Sequence, residues 1–159
     1  MTQLQRSPGA RRRRGIVWKV LAALGVLCVV VYVATYDPST VGYWRSDEGR
    51  RAYEAAYAEA MAVMPPPTER YDIPTSYGTV RVYRWANEEN AAATPALFLP
   101  GRTSGVPMWS ANLPAVAASR PVYAMDALGD TGLSEQSAPI NDGADQAAWV
   151  DEVFTALDL

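Results

Sequence analysis

The stretch from Ala96 to Leu133, ALFLPGRTSGVPMWSANLPAVAASRPVYAMDALGDTGL, decides how this chain is read. It opens on Ala96-Leu-Phe-Leu, a short and wholly apolar run, the pattern of a strand buried on both faces of a parallel sheet. A glycine-bearing loop follows, from Pro100 to Gly105. Asn112 then stands where it can cap a short helix from Leu113 to Ala118, with Pro114 tolerated in the first turn. Val122-Tyr-Ala-Met is a second buried strand, ended by Asp126. Strand, helix, strand with apolar strands is the signature of an α/β sheet built by crossovers.

Working outward, Asp72-Ile-Pro-Thr is extended, Ser76-Tyr-Gly is a turn, and Thr79 to Trp85 (TVRVYRW) alternates in β-forming residues, so the two segments predict an antiparallel hairpin. Asp47 to Met64 predicts a helix with Tyr53, Ala56, Tyr57, Ala60, Met61 and Met64 on one face, a packing or spacer helix stopped by Pro65-Pro66-Pro67. On the other side, residues 129–140 read as loop, Asn141-Asp-Gly as a turn or cap, and Ala144 to Leu157 as a helix with Ala147, Val150, Phe154 and Leu157 inward. A crossover helix delivers the chain to a further parallel strand. None follows here, so the sheet is expected to have an open edge beside Val122–Met125.

The charge is divided. Residues 1–36 carry six basic side chains and no acid, whereas residues 37–159 hold the other eight basic residues and all 17 acids. Ile16 to Tyr36 is apolar except for Lys19. As a helix of 21 residues it spans about 32 Å, against about 30 Å of hydrocarbon. Trp18, Tyr32 and Tyr36 lie towards its ends, and Arg11–Arg14 precede it. This predicts a basic cytoplasmic tail at 1–15, a transmembrane helix at 16–36, a linker with a juxtamembrane helix at 37–70, and an α/β body at 71–159. The segment reads as an uncleaved signal anchor, with a cleaved signal peptide as the alternative. The expected location is the cell membrane, single-pass, with the N-terminus cytoplasmic, the body extracytoplasmic and the lipid bilayer as partner. The acidic body is unsuited to nucleic acid.

The chain has one cysteine and no histidine, which excludes an internal disulfide, a Ser-His-acid triad and any His-ligated metal within these residues. It contains no G-x-x-x-x-G-K-[ST], no G-x-G-x-x-G and no G-x-S-x-G; Gly132-Leu-Ser-Glu-Gln is the nearest approach to the last. Asp126 and Asp130 could meet at a metal, but acids in such a loop more often cap and turn, so no metal and no cofactor are expected.

In the order and spacing of Trp109, Asp126, Gly129, Gly132 and Ser134, residues 71–159 resemble the N-terminal half of an α/β-hydrolase-fold domain. Pro100 stands where that family usually has histidine before a glycine, here Gly101. The resemblance implies an oxyanion-hole donor at the backbone N–H of Arg102, with Thr103 as the alternative, and Gly101 and Gly105 supporting the loop. It also implies that the nucleophile elbow, the acid and the histidine of the family come later than Leu159, so no residue here is a catalytic nucleophile, acid or base. The expectation is a membrane-anchored α/β-hydrolase-like protein of the ester or amide type, truncated before its nucleophile elbow and inactive alone, acting in a complete homologue on a small-molecule ester or amide. A non-catalytic, membrane-tethered remnant or binding module is the alternative.

Overall fold

A computed structural model describes residues 8–35 and 40–159. The chain divides into two compact units, Met1–Pro38 and Ser39–Leu159.

The first unit holds one helix, α1, Pro8–Thr35. It begins eight residues before the apolar run, because a proline suits the first helical turn and arginines are good helix formers; there is thus no break between tail and apolar segment at residue 15. Ile16–Thr35 is 20 residues long and apolar enough to cross a membrane, and a signal sequence near the N-terminus meets the same criterion. Its side chains are exposed throughout. Arg6, Tyr36 and the start of the linker at Asp37 lie outside the described residues.

The second unit begins with α2, Asp47–Ala62. The Ser46 hydroxyl accepts the Gly49 N–H at 3.0 Å, and Asp47 and Glu48 sit at the positive end of the helix dipole. Strands β1, Glu69–Thr75, and β2, Gly78–Trp85, form the expected hairpin, paired from Glu69↔Arg84 to Thr75↔Gly78. Gly78 has φ +146°, and a Cβ there would lie 2.2 Å from the Glu135 carbonyl oxygen, so glycine is required. Strand β3, Ala96–Phe98, leads into a 3-10 turn, Val106–Trp109, and the short helix α3, Leu113–Ala117. Strand β4, Val122–Met125, is followed by the two-residue strand β5, Glu135–Gln136, within the expected loop, and by α4, Gly143–Leu157.

The sheet order is β1-β2-β4-β3, with β5 pairing to β2. β4 runs antiparallel to β2 and parallel to β3. This corrects the expected open edge: β4 is paired on both sides because the hairpin docks on it, and the open edge belongs to β3. As an edge strand β3 is half-buried, not covered on both faces, and Leu99 just beyond it is 49% exposed.

Alternation along β2 separates two cores. Tyr83 and Trp85 join Tyr57, Met64, Val106, Leu113, Val122 and Ala124 beneath α2 and α3. Val80 and Val82 join Ile73, Met125, Leu128, Trp149 and Val153 beneath α4.

Two local expectations are revised. Asn112 makes no side-chain cap, because its backbone (φ −95°, ψ −33°) already continues the preceding turn, with its N–H bonded to the Trp109 carbonyl at 3.0 Å, and a cap needs extended backbone. In α4 the buried residues are Trp149 and Val153, flanked by Val150 and Leu157; Ala147 faces water and Phe154 is half-buried outside this core. The helix turns its largest apolar side chain inward.

Candidate functional site

Because β3 and β4 are parallel, the loops that leave them emerge from the same end of the sheet. Both carry residues singled out by the sequence, and two carboxylates from the second loop hold the first.

Asp126 directly follows β4 and is fully buried. Its carboxylate accepts the Val106 N–H at 2.8 Å, the Leu133 N–H at 2.8 Å, and the Tyr57 O–H, shared between its two oxygens at 2.9 and 3.1 Å. Burial raises its pKa above the ordinary value, and the Leu133 and Val106 N–H groups and the Tyr57 hydroxyl oppose that rise. Burial, then the Asp126 charge, pushes the Tyr57 phenol far upward, so it stays a donor. The Ser134 hydroxyl donates to the Asp126 carbonyl at 2.6 Å and accepts the Arg81 N–H at 2.9 Å, ties that make it a staple of the sheet.

Asp130 lies nearer the surface. It accepts the Thr103 N–H at 2.9 and 3.0 Å and the Thr131 N–H at 2.7 Å. Desolvation works to raise its pKa, but these N–H groups outweigh it and hold the carboxylate below its ordinary value, helped by the charge of Arg102. Thr103 has φ +58°, a left-handed conformation that costs a β-branched residue energy and is held here by the bond to Asp130.

Of the two predicted oxyanion donors, Thr103 therefore has its N–H committed to Asp130. The N–H of Arg102 makes no hydrogen bond among the described residues. The Gly101 N–H points to Met108 Sδ at 3.2 Å, and the Ser104 N–H returns to the Gly101 carbonyl at 3.2 Å, closing a turn around Arg102. Gly105 is tightly enclosed, since a Cβ would lie 3.0 Å from Asp126 Oδ1 and 3.1 Å from the Tyr57 ring and would push both aside by a few tenths of an ångström; Gly101 has room, with Met108 Cε at 3.7 Å. Trp109 packs on Phe98 with ring centroids 4.7 Å apart.

Asp126 and Asp130 are not arranged as a metal pair: each is occupied by its own protein donors. Among the described residues no group of three or more His, Cys, Asp or Glu side chains converges on a cation site. A cavity of about 480 Å³ adjoins Asp130, lined by Tyr43, Trp44, Tyr53 and the turn 129–132. Arg50 also lines it, bound to Glu54 and Glu135 at 2.7 Å each, as do Gly42 and Gln136, joined by the Gly42 N–H to Gln136 Oε1 bond at 3.2 Å.

No family model matches the chain. Carboxylesterase YbfK of Bacillus subtilis (strain 168) is 28% identical over 113 residues, 71% of this chain and 37% of that protein. The crystal structure of naproxen esterase (carboxylesterase NP) from Bacillus subtilis matches with TM-score 0.64 and 26% identity, over 74% of this chain and 40% of that one. The structure of carboxylesterase CesB (YbfK) from the same organism matches with TM-score 0.61 and 26% identity, over 69% and 37%.

The body carries part of an α/β-hydrolase fold. The chain spans about two-fifths of the length of these relatives. Within that α/β-hydrolase portion, the sequence pointed to the loop after β3 and to Asp126, but not to the tie between Asp126 and Tyr57, which are 69 residues apart. The only signal for it was an aromatic stripe on α2, which core packing alone explains.

Proposed function

We propose that this chain supplies the oxyanion side of a membrane-tethered carboxylester hydrolase. The observation that carries the reading is the Arg102 N–H, without a hydrogen-bond partner among the described residues, in a loop whose N–H groups at Thr103 and Val106 are fixed by Asp130 and Asp126. A preorganised donor of this kind stabilises the negative charge that develops on the carbonyl oxygen during acyl transfer, and is worth about 3 kcal/mol in a complete site. Thr103 becomes a second donor only if Asp130 releases it. The likeness to carboxylesterases supports an ester as the substrate class. Nucleophile, acid and base come from outside these 159 residues, which contain no histidine and no G-x-S-x-G; alone, the chain forms no acyl-enzyme. The apolar run of α1 supports a tether, and Arg11–Arg14 before it support a cytoplasmic N-terminus with the body outside.

The test is labelling by a fluorophosphonate probe. The 159-residue chain is expected to remain unlabelled. Joined to the C-terminal portion of a carboxylesterase of this fold, with its serine, acid and histidine, it is expected to label at that serine. Arg102→Pro, which deletes the N–H, then lowers kcat by about 10²–10³-fold with KM little changed. Labelling of the 159-residue chain at Ser104 or Ser134, or a joined protein indifferent to Arg102→Pro, overturns the reading.

A further inference from the structure

We infer that Tyr57, on the helix that precedes the sheet, is a positioning residue for the Arg102 loop and acts through Asp126. The inference rests on the reading of Arg102 as the oxyanion donor.

The loop is held at two points. At Thr103 the hold is Asp130, on the surface. At Val106 it is Asp126, within the core, and here α2 takes part. The Asp126 side chain is fully buried, so its geometry depends on its donors. Two are backbone N–H groups: that of Val106, at the first position of the four-residue 3-10 turn, and that of Leu133, in a loop. The third is the hydroxyl of Tyr57, whose ring is itself buried and whose backbone lies in a capped helix of 16 residues. Of the three, only Tyr57 comes from a helix longer than a single turn, so it is the rigid reference against which the carboxylate is set. The same ring also packs beside the loop at Gly105, where a Cβ would meet both Tyr57 Cε2 and Asp126 Oδ1. Helix α2, Tyr57, Asp126 and Val106 thus form one hydrogen-bonded path, which fixes the loop four residues after Arg102. A substitution that removes the Tyr57 hydroxyl while keeping the ring separates this tie from ordinary packing.

The experiment is amide hydrogen exchange on the full chain in detergent micelles, comparing wild type with Tyr57→Phe. Hydrogen bonds to charged groups are the strong ones, so exchange at Val106 and Leu133 is expected to accelerate about tenfold, while Val80 and Val82 in β2 stay within twofold. In Asp130→Asn, acceleration is expected at Thr103 and Thr131, with Val106 within twofold. In the joined hydrolase, Tyr57→Phe is expected to lower kcat about tenfold with KM unchanged. Unchanged exchange at Val106, acceleration shared equally by β2, or an unchanged kcat in a joined protein that does respond to Arg102→Pro overturns the inference. The exchange arm needs no catalysis, so failure of the tie is distinguishable from failure of Arg102 as the donor, which Arg102→Pro reads.

Discussion

A buried carboxylate persists in an apolar core only when donors replace the water it has lost, and Asp126 has three. The space around it is correspondingly tight. Gly132 has φ +146°, and a Cβ there would lie 2.5 Å from both Cβ and Cγ of Asp126. An alanine at 132 must therefore move the carboxylate or the loop, in a backbone conformation that already disfavours it. Gly132→Ala is expected to destabilise the body by about 2 kcal/mol or more in a urea titration. Gly101→Ala, with open space, is expected to cost well under that. In the sequence Asp126 was an acid after an apolar strand, read as a turn former rather than a metal ligand. Its role depends on donors 20 and 69 residues away, and no local pattern encodes them.

At the scale of elements, the sequence located helices and strands well and faces less well. The end of α4 was legible: the Asp142 carboxylate accepts the Ala144 and Asp145 N–H groups at 2.8 and 3.0 Å, the cap expected around Asn141-Asp-Gly. Asp142→Ala is expected to lower stability by about 1 kcal/mol. The loss belongs to the cap, so amide hydrogen exchange is expected to accelerate at Ala144 and Asp145, with Val153 unchanged. The inward face of α4 was misjudged, because a helix with apolar residues at 147, 149, 150, 153, 154 and 157 supports more than one stripe. The choice fell to the surface it packs on, where Ile73, Val80 and Met125 receive Trp149 and Val153. Asn112 failed as a cap for a similar reason: the turn before it set its backbone.

For the whole molecule, the two units pose different physical problems. The body gathers its apolar side chains on both faces of one sheet. Helix α1 exposes its apolar side chains along its whole described length from Ile16, which in water would be costly and in a bilayer is not. The full chain is expected to sediment with membranes, to resist extraction by alkaline carbonate, and to place a reporter fused after Leu159 outside the cytoplasm. Recovery of the intact chain as a freely soluble cytosolic protein would contradict the proposed tether. Recovery of a form shortened near residue 36 would identify α1 as a signal sequence instead.

What the sequence alone determined was whatever local chemistry controls. The apolar run with basic residues before it, the hairpin, the two short strands, the proline stop after α2 and the lack of histidine all follow from residue type and spacing. What only the tertiary structure decided was who neighbours whom. The hairpin docks on β4 and leaves β3 at the edge, Asp130 takes the Thr103 N–H while that of Arg102 finds no partner among the described residues, and α2 lends the hydroxyl of Tyr57 to Asp126. Such pairings join residues distant in sequence, and their energy depends on burial, which exists only once the sheet and helices have come together.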